Sequence, residues 1–104
     1  MKENNGNMLR VITDIETLSD TFTVSFLDYD SDKTQVLVIN KDINQLQELK
    51  QFLSHVKYLI TLNGIHFDSI VLDWMIKQPH VTAERIYEVA QIVINQDKYY
   101  DMYK

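Results

Sequence analysis

Met8-Leu9-Arg10-Val11-Ile12 runs directly into Thr13-Asp14-Ile15-Glu16-Thr17, and the reading of this stretch decides the fold. The apolar run predicts a buried first strand over residues 8–15. Side chains alternate along a strand, so Asp14 and Glu16 share one face at its end. Two like charges held that close repel unless water or a cation lies between them. Mg²⁺ takes oxygen ligands, commonly one or two carboxylates completed by water and phosphate. Asp-x-Glu at the end of a core strand is therefore a candidate metal site. The plain alternative is a solvated strand end that begins a loop.

Downstream, Asp20 to Tyr29 alternates apolar with small polar residues. Phe22, Val24 and Phe26 fall on one face of a half-buried second strand. Asp28-Tyr29-Asp30-Ser31-Asp32-Lys33 is a turn by composition. Its spaced acids are followed by no Gly or bidentate Glu at the positions a calcium loop requires. Thr34 to Asn40 is a third strand, antiparallel to the second. Asp42 is the expected N-cap of a helix over 43–55, with Ile43, Leu46, Leu49, Phe52 and Leu53 inward. Val56 to Leu62 is nearly all apolar. Such a run predicts a strand buried on both faces, reached by a helical crossover and parallel to the first. A second helix spans 68–77, with Ile70, Val71, Trp74 and Met75 inward and Pro79 after its end. A third, capped by Thr82, spans 83–96, with Ile86, Val89, Ala90 and Val93 inward. Lys98 to Lys104 reads as the beginning of another strand.

The element order β-β-β-α-β-α-α predicts an α/β fold: a mixed sheet of order 3-2-1-4 with helices packed on it. Ligand sites in such sheets lie outside the carboxyl ends of parallel strands. Asp14-Ile15-Glu16 and Asn63-Gly64-Ile65-His66-Phe67-Asp68 both occupy such ends. Asp68 would open a helix close to Asp14 and Glu16, giving three acids able to hold divalent cations. An acid favoured by the dipole of a helix N-terminus is the ordinary explanation for Asp68.

Composition narrows the field. One hundred and four residues bound the chain to one domain, 1–104, with a flexible lead-in at 1–7. At 45% hydrophobic and 24% charged residues it is globular in character. The absence of cysteine excludes disulfides and zinc–thiolate sites. There is no signal-peptide pattern and no run approaching a bilayer span, so a soluble cytoplasmic protein without membrane contact is expected. The net charge of −5, with Lys and Arg scattered singly, argues against tight autonomous nucleic-acid binding. It argues less against a metal-dependent nuclease, where bound cations meet the phosphate.

Asp14-Ile15-Glu16-Thr17 resembles the first motif, Asp-x-Glu, of DEDD-type 3′–5′ exonucleases. Thr61-Leu62-Asn63-Gly64-Ile65-His66-Phe67-Asp68 resembles their second, Asn-x(2–3)-Phe-Asp. The proofreading domains of family-B DNA polymerases and small phage exonucleases are the nearest in style. The resemblance covers residues 8 to about 75 and implies a ribonuclease-H-like fold with a β-β-β-α-β opening. It implies that Asp14, Glu16 and Asp68 bind two Mg²⁺ or Mn²⁺ ions, with Asp14 bridging and Glu16 on the ion that activates the nucleophile. Asn63 and Phe67 would position the 3′ end of single-stranded DNA or RNA, and Thr17 and Leu18 would meet its last nucleotide. The third motif, Tyr-x-x-x-Asp or His-x-x-x-Asp, has no match: Asp97 to Asp101 has the spacing with Asp in place of Tyr. Asp101-Met102-Tyr103 instead resembles the opening of the family's fifth strand. The expectation is a domain lacking the fifth strand and last helix, with an impaired site. The alternatives are an inactive binding or inhibitory module working through an exposed sheet edge, as a homodimer or with a partner chain that completes the sheet, and a fragment of a larger polymerase or exonuclease.

Overall fold

The computed structural model describes residues 9–61 and 67–102, with side chains described as far as residue 95. Four strands, β1 (Leu9–Thr17), β2 (Phe22–Asp28), β3 (Thr34–Ile39) and β4 (Val56–Thr61), and three helices, α1 (Leu46–Leu53), α2 (Phe67–Ile76) and α3 (Ala83–Met102), follow in the order β1-β2-β3-α1-β4-α2-α3. The sheet order is β3-β2-β1-β4. β1 runs antiparallel to β2 and parallel to β4, as the helical crossover requires. The α/β fold class, the mixed sheet and its order are thus as expected from sequence.

Period-two alternation sets the layers. Val11, Ile15, Phe22, Val24, Phe26, Leu37 and Ile39 point to one face and are buried there under all three helices. Leu46 and Leu49 of α1, Val71, Leu72 and Met75 of α2, and Ile86, Ala90 and Val93 of α3 complete this core. The rings of Phe26 and Phe52 meet at 4.5 Å. The other sheet face carries none of the helices among the described residues.

Two tight turns fix the register. Leu18 N–H donates to Thr21 O at 2.8 Å, closing the β1–β2 hairpin. In the β2–β3 turn the Asp28 carboxylate accepts from Asp30 N–H and the Ser31 hydroxyl, both at 2.9 Å. Asp32 completes that turn in the left-handed region at φ 62°, which Asp tolerates better than most residues.

Four expectations are corrected. Asp42 is not a helix cap. The Asn40 side chain accepts from Asp42 N–H and Ile43 N–H at 2.8 Å each, so 40–44 becomes a turn and α1 begins only at Leu46. Ile43 is exposed instead of inward. β4 holds the edge position that the order 3-2-1-4 gives it but is not buried on both faces: Tyr58 and Ile60 are exposed, because apolar content alone cannot tell whether one face of a strand is covered or both. In α2, Leu72 is buried and Ile70 is exposed, a rotation of the apolar stripe. Finally, residues 98–102 continue α3 and do not open a strand. Nothing between Asn95 and Met102 is a Gly or Pro that would stop a helix. Thr82 caps α3 as read, its hydroxyl accepting from Arg85 N–H at 3.1 Å. No described helix is long and apolar enough to cross a membrane.

Candidate functional site

The carboxyl end of β1 is the place where acidic groups converge. Asp14 and Glu16 are exposed on the sheet face away from the helices, while Thr13 before them and Ile15 between them are buried. That is the shared face the Asp-x-Glu spacing predicts.

Backbone pairing explains how Asp68 reaches them. Leu18 N–H bonds Thr21 O, and Tyr29 N–H bonds Arg10 O, so the even-numbered residues of β1 bond β2. The odd-numbered residues therefore turn their N–H groups toward β4. The described β4 pairing ends at Thr13 with Thr61, leaving Ile15 N–H past the last paired residue. The Asp68 carboxylate, on the first turn of α2, accepts from that N–H. Asp68 thus closes the strand end that β4 leaves open, a backbone role with its own structural value.

Burial has a cost for this carboxylate. Asp68 is 1% exposed, and its Oδ2 has no hydrogen-bond partner among the described residues. Burial, then the negative charge of Asp14, push its carboxyl up to about 6, against the opposing pull of the Ile15 N–H. Asp14 and Asp68 therefore feel each other across the strand end. Among the described residues no group of three or more His, Asp or Glu side chains is placed to hold a metal. Glu16 shares a face with Asp14 but does not close a three-acid cluster with Asp68. The buried, half-satisfied Asp68 carboxylate with Asp14 nearby fits one hard cation, which accepts as few as two carboxylates.

The other expected site residues divide. Thr17 ends β1 half-buried, and Leu18 follows it, 52% exposed in the hairpin turn. Phe67 opens α2, half-buried against the core, which favours an anchoring role over base stacking. Asn63 and His66 lie outside the described residues.

Thr13 is the residue that sequence reasoning passed over. It is fully buried on the helix-side face, and its Oγ1 finds no hydrogen-bond partner among the described residues. A polar side chain in the apolar register Val11-x-Thr13-x-Ile15 was the available signal. Compared with family models, with curated proteins and with solved structures, the chain matches none.

Proposed function

We propose that the chain is a metal-dependent exonuclease-like domain of ribonuclease-H-like architecture, acting on the 3′ end of single-stranded DNA or RNA. The supporting observation is the buried Asp68 carboxyl at the end of β1, raised to about 6 by burial and by Asp14, with one oxygen unpartnered. An acid kept in so unfavourable a setting at a strand end is a mark of a binding site.

Asp14 and Asp68 would hold Mg²⁺ or Mn²⁺, and the bound ion would supply positive charge to a phosphate and acidify a water. Asp14 is exposed at the carboxyl end of the strand. Asp68 is held from behind by the Ile15 N–H, so its orientation is fixed before any ligand arrives. Glu16, on the same face two pairs nearer the hairpin turn, would help hold the ion that activates the nucleophile. Thr17 and Leu18 flank the strand exit where a terminal nucleotide would rest. Asp97 to Asp101 has the spacing of the third exonuclease motif without its Tyr or His, so hydrolysis by residues 1–104 should be slow, because catalytic groups act as a unit.

The test is Mn²⁺-dependent release of nucleotides from a 3′-labelled single strand, paired with direct Mn²⁺ titration by electron paramagnetic resonance. The parent chain should bind Mn²⁺ and shorten the strand, and Asp14→Ala should lose both. Equal activity in parent and variant would assign the cleavage to a contaminant and end the nuclease reading. Mn²⁺ binding without cleavage would favour the inactive binding module.

A further inference from the structure

The sheet face that the helices leave uncovered carries an ordered pattern. Arg10, Ile12 and Asp14 follow one another along it on β1, since Val11, Thr13 and Ile15 point into the core. Directly opposite residues of neighbouring strands share a face. Ile12 pairs with Leu27 of β2 on one side and with Ile60 of β4 on the other. Ile60-Ile12-Leu27 is therefore an apolar row crossing three strands, with Ile60 42% and Leu27 37% exposed. The cation Arg10 lies two residues to one side of the row and the anion Asp14 two residues to the other, each about 7 Å away by strand rise.

This arrangement is complementary to itself. A two-fold axis laid along the apolar row, between two sheets packed face to face, sets Ile12 against Ile12, Leu27 against Leu27 and Ile60 against Ile60. The same operation carries Arg10 over Asp14 of the second copy and Asp14 over its Arg10, two ion pairs from one axis. Packed sheets lie about 10 Å apart, most of which an extended arginine spans. Arg10 is already disposed for this: its guanidinium lies 4.8 Å over the Tyr29 ring and pairs with Asp30, leaving further donors of its fork for a second carboxylate.

We propose that this face is a homodimer interface, two sheets stacked about a two-fold axis along Ile60-Ile12-Leu27 with reciprocal Arg10–Asp14 pairs. The occupant is a second copy because the face is charged in opposite senses on either side of its apolar row. A polyanion would meet one arginine and the carboxylates of Asp14 and Glu16 on the same face. The interface covers Asp14, so the dimer and a metal-loaded Asp14 exclude each other. The association itself needs neither metal nor nuclease activity.

Sedimentation equilibrium in EDTA, from micromolar to millimolar protein, tests it. The parent chain should approach twice the monomer mass. Arg10→Glu and Asp14→Arg should each weaken association by more than about tenfold, since each sets like charges against one another. The double variant Arg10→Glu/Asp14→Arg should recover part of it, because the swap rebuilds the pairs in reverse while setting the new carboxylate beside Asp30. Leu27→Glu, in the apolar row at a position 37% exposed, should also dissociate the dimer, with circular dichroism confirming that each variant is folded. A parent chain that stays monomeric throughout, or a double variant no better than the singles, overturns the proposal.

Discussion

Replacing Asp68 by Asn should make the fold more stable at pH 8 and not at pH 4. The folded carboxyl sits near 6 against an ordinary value of 3.8, raised by burial and by Asp14. The folded chain therefore holds this proton more tightly than the unfolded chain does. Its contribution to stability is full below about pH 4, falls as pH rises through the window from 4 to 6, and stays low above it. The full shift corresponds to about 3 kcal/mol lost by pH 8. Asn keeps an oxygen for the Ile15 N–H and carries no charge, which removes that penalty. Its amide NH₂ then lies where Oδ2 has no partner, costing about 1–2 kcal/mol. The net gain at pH 8 is about 1–2 kcal/mol, and at pH 4 the sign reverses. Urea unfolding followed by the fluorescence of Trp74, the single tryptophan, reads both stabilities. The difference between variant and parent isolates Asp68 from the other acids that titrate in the same range. A variant destabilised equally at pH 4 and pH 8 would refute the reasoning and leave Asp68 as a simple strand-end cap.

Mn²⁺ should raise the unfolding midpoint of the parent at pH 7.5 and leave Asp68→Asn unmoved, because only a ligand bound to the folded state stabilises it; equal shifts in both would place the ion elsewhere. Phe26→Ala should cost about 3–5 kcal/mol in urea unfolding, since Phe26 is 1% exposed and stacked on Phe52, so its loss opens a cavity in the core. Thr82→Ala should cost about 1 kcal/mol by removing the cap on Arg85 N–H, with Thr82→Asp retaining most of the stability. Asn44→Ala should cost more than an exposed substitution, because its side chain ties Val81 O at 2.9 Å and Leu46 N–H at 3.2 Å, joining the start of α1 to the approach to α3; a change in thermal midpoint no larger than that of Gln47→Ala would count against this.

Alternation and helical spacing, both periodic signals, made most of the architecture legible. Phe22-x-Val24-x-Phe26 could bury only one face, and Ile86, Ala90 and Val93 could line only one side of a helix. The sequence also placed Asp14 and Glu16 on a common face, because that follows from strand geometry alone. It misjudged the burial of β4, since Tyr58-Leu59-Ile60 reads the same whether one face of a strand is covered or both, and only the packed neighbours decide. It stopped α3 too soon because polar residues without Gly or Pro weaken a helix signal without ending the helix. It placed Asp68 near β1 but could not foresee its burial or its bond to Ile15 N–H. Those depend on the described β4 pairing reaching only Thr61 while β1 runs on to Thr17, a difference between two strands far apart in the chain. Local periodicity is written into neighbouring residues and survives without a fold. The electrostatic setting of a carboxyl, and the pattern of charge across a sheet face, exist only once strands distant in sequence are laid side by side.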